Sequence, residues 1–323
     1  MLKLLSLSSR TVSLFTLAAG LFLSQACIQH PNNSDTKSIP QVFPSNPVIT
    51  SSSTNASNSA VIGAVPIQNN PNLALGIPIN RTQKPEILIS RPEYVISWNR
   101  TTRTPNWVAW TVEPNNLGAI KRSNSFAADP DLEGYLQKSG AHAVTEVEYS
   151  GSCFDRGHQS PSGDRTATTN ENMATFLMSN MIPQTAFLNR VIWEHLEEHE
   201  RSLVQNPNGG GTKIQIIAGT LFPPNPAAIG PNHDILVPNF NYKIIVPLSQ
   251  GAQPNRNDPQ LIVVKMPNVT SKNTDPIADH NQECTDFGDH NSVTDGASPN
   301  DWMQYKTTLD EVEQLSVFTF FSH

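Results

Sequence analysis

The stretch CFDRGHQSPSGDR, residues 153–165, combines two aspartates, two arginines and a histidine with several turn-forming residues. At its centre, Arg156 precedes Gly157 and His158, so that one small residue separates a guanidinium from an imidazole. An imidazole is suited to proton transfer near neutral pH, because its ordinary pKa lies close to neutrality. The stretch is therefore either a polar surface loop or the centre of a reaction site, and its surroundings decide between the two.

The clearest helical pattern of the chain follows at residues 185–204, TAFLNRVIWEHLEEHERSLV. At about 100° per residue, Ile192 and Leu196 share one apolar stripe. Asn189 falls inside that stripe, and Glu197 lies at its edge. A buried amide needs hydrogen-bond partners or a metal ion to offset its desolvation. Asn189 therefore either bonds a neighbouring loop or binds a metal ion.

Apolar segments on both sides of this helix have the composition of strands, and one later segment is amphipathic. The predicted strands are YVISW (94–98), NWVAWTV (106–112), AVTEVEYSGSCF (143–154), KIQIIAG (213–219), YKIIVPL (242–248) and QLIVVKMP (260–267). The segment TTLDEVEQLSVF predicts a short helix with Thr308 as its N-cap. Because strands and helices mix without a regular βαβ alternation, we expect one α+β domain with a mainly antiparallel sheet flanked by helices.

The first residues have the organisation of a secretory signal peptide. Two cations near the start precede an apolar run at residues 12–23, which is shorter than the ~20 residues of a membrane span. Ser24-Gln25-Ala26 fits a small-x-small cleavage site. We therefore expect residues 1–26 to be a signal peptide and the protein to be secreted, periplasmic or attached to the cell envelope. Lipidation of Cys27 is the alternative to simple cleavage, although Ser24 stands where lipoproteins usually have leucine.

Residues 27–86 are rich in Ser, Asn, Pro and Thr and contain only scattered aliphatic residues. Such a segment buries too little apolar surface to offset its ordering entropy, so we expect a disordered linker there and a folded domain at residues 87–323. The net charge of −7 gives the chain no global attraction to nucleic acid. Binding to nucleic acid would therefore require a local basic patch.

The chain has three cysteines, and none of them forms a Cys-x-x-Cys motif, which argues against a thiolate zinc site. In an oxidising compartment Cys153 and Cys284 could form a disulfide. Two unpaired thiols are the alternative.

Several separated motifs resemble the DNA/RNA non-specific endonuclease family, the sugar-nonspecific nucleases with a ββα-metal active-site motif. The resemblance covers about residues 94–321. The motifs are DRGH, SNMIPQ, LNRVIWEHLE and TLDEVEQL, with RTPNWVAW, KRSNSFAADPDL and VVKMPN beside them. The resemblance implies a metal-dependent hydrolase that cleaves DNA and RNA with little sequence preference and leaves 5′-phosphates.

The resemblance also implies roles for individual residues. His158 matches the general base of the family. Asn189 matches the single direct protein ligand of one Mg²⁺ or Mn²⁺ ion, and Glu197 matches the acid that positions metal-bound water. Arg156 and Arg122 match basic residues near the scissile phosphate. Activated water, charge neutralisation and stabilisation of the leaving oxygen are what phosphodiester hydrolysis requires.

The same resemblance suggests which residues support the site. Asn180 and Gln184 are expected to hold it in shape. Asp155 and Gly157 are expected to orient the loop around the base, because the side chain of Asp155 should point away from that of His158 in an extended segment. Lys121 is the alternative to its neighbour as the phosphate contact.

Two other functions remain open at this point. His195 and His199, with Glu198 between them, fit the His-x-x-Glu-His pattern of inverted zinc proteases. A catalytically inactive, nucleic-acid-binding relative is the second alternative. The expected partners are DNA and RNA substrates, a lipid anchor if Cys27 is acylated, and a proteinaceous nuclease inhibitor.

Overall fold

The computed structural model describes residues 59–205, 212–248, 254–270 and 298–321. The predicted signal peptide, Cys27, Cys284 and the first part of the predicted linker lie outside these residues. Among the described residues, no helix is both long enough and apolar enough to cross a membrane.

Seven strands of the described chain form one sheet in the order β1-β3-β4-β5-β8-β11-β12. All neighbours are antiparallel except β1 and β3, which run parallel. These strands are β1 (Ala60–Ile62), β3 (Ile87–Ser90), β4 (Val95–Asn99), β5 (Thr104–Val112), β8 (Lys213–Leu221), β11 (Phe240–Leu248) and β12 (Ile262–Pro267). The predicted α+β class, with a mainly antiparallel sheet, is confirmed.

The remaining described strands form three small pairs around the large sheet. They are β2 (Ile79–Asn80) with β13 (Phe318–Thr319), β6 (Asp155–His158) with β7 (Met181–Gln184), and β9 (Ala228–Ile229) with β10 (Ile235–Leu236).

The described α-helices begin where their sequences provide caps. They are α1 (Pro130–Leu136), α2 (Thr169–Ala174), α3 (Trp193–Val204) and α4 (Leu309–Ser316). Asp129 and Thr168 cap α1 and α2, and Thr308 caps α4 by accepting a hydrogen bond from the Glu311 backbone N–H. The predicted N-cap of the last helix is thus confirmed.

Both faces of the large sheet are buried, because alternate side chains of its strands join two different cores. On one face, Trp110 and Ile216 pack with Leu196 of α3. On the other, Trp107 and Ile217 pack with Val312 of α4 and with residues of the N-terminal segment. Burial on both faces explains why the strand sequences are continuously apolar instead of alternating.

The folded domain begins earlier than predicted. β1 pairs with β3, and Ile67 and Leu75 are buried in the second core, so residues 59–86 are part of the fold. We call this segment the N-terminal arm. Its apolar residues are too sparse to form a core of their own, but the sheet supplies the rest of the buried surface. Arg81 donates hydrogen bonds to the carbonyls of Glu313 and Phe318 and ties the arm to the end of α4.

The strand predicted at residues 143–154 is wrong. The structure has a short 3₁₀ helix at Glu146–Tyr149, which is closed by a capping box between Thr145 and Glu148. The alternating pattern was misleading because the capping box satisfies the local backbone groups without a partner strand.

A cleft built on a ββα unit

The strand pair β6–β7 and the helix that follows it form a ββα unit at the edge of the domain. Asp155 is paired with Gln184, and His158 with Met181. Since side chains alternate along a strand, Arg156 and His158 share one face and Asp155 lies on the other. This is the arrangement expected from the sequence for Asp155 and His158.

Gly157 is required by a close approach and not by a turn. It lies inside β6, and a β-carbon at this position would collide with the side-chain amide of Gln184. The expectation that Gly157 helps to orient a loop around the base is therefore wrong, because the segment is a strand. Asn180 is fully buried and bonds the backbone of Ser160 through both ends of its amide, at 2.8 and 3.0 Å. Gln184 and Asn180 thus sit where they can fix the strand pair.

The unit opens into a cleft of about 1090 Å³ that contains charges of both signs. The cations that line it are Arg122, Arg156, Arg190 and Arg201, and the acids are Glu146, Asp155, Glu194 and Glu197. His158 and Asn189 line the same cleft. The residues that the sequence singled out for catalysis and metal binding are thereby brought together.

His158 is only 5% exposed and packs against two aromatic rings. Its ring centroid lies 4.8 Å from that of Phe176 and 5.8 Å from that of Phe126. Nε2 is buried and has no hydrogen-bond partner among the described residues, so Nδ1 is the nitrogen available to the cleft. Burial, together with the charges of Arg122 and Arg156, holds the pKa of His158 well below its ordinary value. The imidazole is therefore neutral and can accept a proton.

Two arginines of the cleft have no acidic partner in the part of the chain that the structure describes. The guanidinium carbon of Arg156 lies 4.0 Å from the centre of the Phe126 ring. Arg122 lies 4.9 Å from the Phe176 ring and donates hydrogen bonds to Asn124 and Ser162, which are uncharged. Their positive charges are thus available to an anion. Lys121 is exposed and does not line the cleft.

The other two arginines of the cleft are engaged by carboxylates. Arg190 donates to Asp155 with Nε and Nη2, at 2.7 and 2.5 Å. Arg201 contacts Asp164 at 3.4 Å and Glu197 at 3.9 Å. These cations compensate acids of the site.

Asn189 lies in a π-helical turn, Leu188–Ile192, that precedes α3. The wider turn places Asn189 half-buried on the cleft wall, so the expectation that its amide faces the apolar core is wrong. Its Nδ2 donates to Asp155 over 2.9 Å. That hydrogen bond engages the N–H end of the amide. The side-chain oxygen Oδ1 is then available as a hard ligand for a divalent cation.

Glu197 faces the cleft from α3 and is surrounded by further charges. Its carboxylate is 13% exposed, and burial raises its pKa to about 7, against the opposing charges of Lys243 and Arg201. Behind it, Lys243 and Glu200 form an ion pair of 2.9 Å with both side chains almost fully buried. Asp164, also buried, accepts a hydrogen bond of 2.8 Å from the Trp110 indole and contacts Arg201.

Several of these residues were not identified from the sequence. Arg201 follows Glu197 at i+4 on the same helix, and that spacing was a usable signal. Phe126 and Phe176 gave no such signal, because a single phenylalanine usually indicates core.

Cys153 is disulfide-bonded and lines the cleft. Both other cysteines lie outside the described residues, so the predicted partner, Cys284, stays a prediction.

The two histidines of the alternative zinc pattern have other contacts. His195 Nδ1 lies 3.0 Å from Asp301, and the His199 ring lies 4.8 Å from that of Trp302. Across the described residues, no group of three or more His, Cys, Asp or Glu side chains could hold a metal ion. A site with one amide ligand, at Asn189, is compatible with that finding.

Comparison with known proteins gives consistent matches. A family model described as DNA/RNA non-specific endonuclease matches residues 68–323. A nuclease from Nostoc sp. is 35% identical over 240 residues, which is 73% of each chain. Nuclease C1 from Cunninghamella echinulata var. echinulata is 32% identical over 49% of this chain and 64% of its own.

Further matches include a mitochondrial protein and a solved structure. Mitochondrial endonuclease G from Homo sapiens is 30% identical over 51% of this chain and 56% of its own. A crystal structure of the EndoG/EndoGI complex, concerned with the mechanism of EndoG inhibition, matches with a TM-score of 0.58 and 22% identity. It covers 80% of this chain and 93% of that one. The chain thus spans little more than half of the human relative but nearly all of the solved EndoG chain.

Proposed function

The chain belongs to the DNA/RNA non-specific endonuclease family, as its separated motifs predicted, and we propose that it is a metal-dependent endonuclease with His158 as its general base. The observation that carries the proposal is a neutral imidazole in the same cleft as two arginines that have no acidic partner in the described chain. A neutral base beside two cations suits an attack by water on a phosphodiester.

His158 takes the proton from the attacking water. Its available nitrogen, Nδ1, faces the cleft, and its lowered pKa keeps it unprotonated in neutral solution. Displacement of the 3′ oxygen by this water leaves a 5′-phosphate on the product.

Arg122 and Arg156 bind the phosphate whose bond is broken. A guanidinium donates several hydrogen bonds in one plane and stays charged, so it neutralises the charge that grows on the phosphoryl oxygens. Contacts of this kind are made with the phosphates of the nucleic acid and not with base edges or the 2′-hydroxyl. They support cleavage of DNA and RNA with little sequence preference.

Asn189 would hold one Mg²⁺ or Mn²⁺ ion through its side-chain oxygen, with Asp155 fixing the amide and Glu197 accepting hydrogen bonds from metal-bound water. When bound, the ion supplies positive charge to stabilise the leaving 3′ oxygen. A single protein ligand suits Mg²⁺ because this ion gives up its water shell reluctantly.

The competing functions have less support. A zinc protease would need a third metal-binding side chain beside His195 and His199, and the described residues provide no such group of His, Cys, Asp or Glu. An inactive binding protein would have no need of a neutral His158 at the cleft.

Location and partners follow from the N-terminal sequence and the family. We propose export through the signal peptide at residues 1–26, with either a free mature N-terminus or a lipid anchor on Cys27. A mass measurement of the mature N-terminus distinguishes the two. A proteinaceous inhibitor that covers the cleft is a further proposed partner, supported only by the likeness to EndoG in its complex with EndoGI.

The test uses purified protein that spans residues 27–323, incubated with plasmid DNA and with RNA. Mg²⁺ should support cleavage of both and EDTA should stop it. His158→Ala should lower the rate by about 10²–10⁴-fold, whereas the control His142→Ala should not, because His142 is exposed and lies outside the cleft. Cleavage that survives both EDTA and His158→Ala would refute the proposal. Casein hydrolysis that requires Zn²⁺ and His195 would support the protease instead.

A further inference from the structure

The neutral base and the two phosphate-binding arginines rest on one pair of aromatic rings, Phe126 and Phe176. The ring centroids lie 5.0 Å apart and the ring planes meet at 85°. The backbone fixes this arrangement, because Ala127 donates to the Phe176 carbonyl and accepts from Met178 at 2.9 Å. Phe176 is fully buried and Phe126 partly buried. We call these two rings the phenylalanine wedge.

The wedge contacts all three functional side chains at once. Arg156 stacks over Phe126 at 4.0 Å, and Arg122 lies over Phe176 at 4.9 Å. The edge of Phe176 meets the imidazole of His158 at an interplanar angle of 86°. A cation over the face of an aromatic ring is attracted by its quadrupole.

The other two arginines of the cleft show that a guanidinium there can be bound by a carboxylate, which is the pairing that the rings prevent for Arg122 and Arg156. Arg190 is bound by Asp155, and Arg201 contacts Asp164 and Glu197. Arginine side chains are long and lose considerable rotamer entropy on fixation. The cleft that contains Arg156 is also lined by acids. Without the Phe126 ring to stack on, Arg156 would pair with one of these acids instead of with substrate.

We propose that Phe126 and Phe176 are positioning residues for phosphodiester cleavage, an inference that rests on the proposed function. Each ring holds one guanidinium flat and away from the cleft carboxylates. Together they fix the separation between the two cations and His158, so that a phosphate bound by the arginines meets the base in the correct place.

The first experiment compares kcat and KM of the full chain carrying Phe126→Leu or Phe176→Leu. We expect kcat/KM to fall roughly 10- to 100-fold, with kcat reduced as well as KM raised, because the reacting groups are misplaced. Phe126→Tyr keeps the ring and should retain most of the rate. Phe240→Leu is the matched control, since Phe240 is partly buried beneath Lys265 in the other core and lies outside the cleft. It should cleave like the wild type.

A double-mutant cycle shows whether the ring acts through the arginine. In an Arg156→Ala background, Phe126→Leu should cause little further loss, because the group that it positions is gone. Additive losses would overturn the proposal, as would loss of activity in Phe126→Tyr equal to that in Phe126→Leu. If Phe126→Leu fails to fold in a thermal unfolding assay, Phe126→Met replaces it. A folded methionine variant with wild-type kcat/KM overturns the proposal as well.

Wild type and His158→Ala are measured alongside, so that two failures can be told apart. If the wild type does not cleave, or if His158→Ala cleaves equally well, the proposed function fails and the wedge proposal with it. If His158→Ala is inactive but both leucine variants cleave like the wild type, only the wedge proposal fails.

Discussion

Asn189 donates its side-chain N–H to a carboxylate oxygen of Asp155, 34 positions earlier in the chain, over 2.9 Å. The first residue of DRGH therefore orients the amide that the family resemblance assigns to the metal. Arg190, the next residue along, donates to both oxygens of the same carboxylate. The Asp155 carboxylate thus links strand β6, which carries His158, to the π-helical turn that carries Asn189.

Asp155→Ala should weaken metal binding, because the freed amide can rotate and present its N–H group to the ion. We expect the Mg²⁺ concentration for half-maximal cleavage to rise about 10- to 100-fold. Titrating Mg²⁺ at fixed DNA, and Mn²⁺ binding by electron paramagnetic resonance, measure this directly. Asp310→Ala is the control, since Asp310 pairs with Arg256 at 2.7 Å but is 85% exposed. An unchanged Mg²⁺ requirement in Asp155→Ala would contradict the role given to this hydrogen bond.

The pH profile of cleavage should reflect the environment of His158. Its folded-state pKa is lowered, so the neutral base is lost only when the pH falls well below 6.5. Saturating Mg²⁺ favours the ionised form of Glu197. Under that condition, we expect kcat to fall on acidification only at pH values below 6.5; this fall is the acidic limb of the profile. Arg156→Gln removes one repelling charge and should move the limb upward. A wild-type limb at or above 6.5 would argue against His158 as the base.

The ion pair between Lys243 and Glu200 gives a stability prediction. Both side chains are almost fully buried, and burial raises the pKa of Glu200. Lys243→Met leaves that carboxyl without its cation and should lower the free energy of unfolding by about 3–5 kcal/mol. Lys243→Met combined with Glu200→Leu should recover most of the loss. Urea unfolding of the three proteins measures both effects, and equal losses in single and double variants would show that the pair itself is net stabilising.

Removal of the N-terminal arm should destabilise the domain. The arm buries Ile67 and Leu75, and its Asn72 accepts a hydrogen bond from the Thr111 backbone N–H at 3.0 Å. Loss of each large aliphatic contact costs about 1.5–3 kcal/mol. A protein that begins at residue 85 should therefore unfold at a lower urea concentration than one that begins at residue 59.

The point variant Leu75→Ala provides a milder version of the same test, with an expected loss of about 2–5 kcal/mol. If the shorter protein is as stable and active as the longer one, the arm is dispensable. Residues 59–86 would then behave as the linker that the sequence predicted.

The central strands were predictable because their apolar residues are contiguous. β4, β5, β8, β11 and β12 all lie at or near segments that composition alone indicated. The arm was not predictable, since its few apolar residues are buried only by strands that are distant in sequence.

Asn189 shows a different limit. Its importance was recognised by assuming a regular helix and finding an amide on the apolar stripe, but the π-helical turn changes the direction of the side chain. The residue was therefore identified through a geometry that the protein does not have. The phenylalanine wedge could not be predicted for a related reason. Its contacts join residues such as Phe126 and Arg156, which are distant in sequence and share no local pattern.

The bond between Arg81 and the Phe318 carbonyl joins positions 237 residues apart, next to the pairing of β2 with β13. During synthesis, the second face of the sheet cannot close until Phe318 has emerged. Contacts of such long range also slow folding, because a large loop must close before they form. A nascent chain that has not yet exposed Phe318 therefore carries its N-terminal arm without the C-terminal segment that the arm binds, and the second core stays incomplete until the two meet.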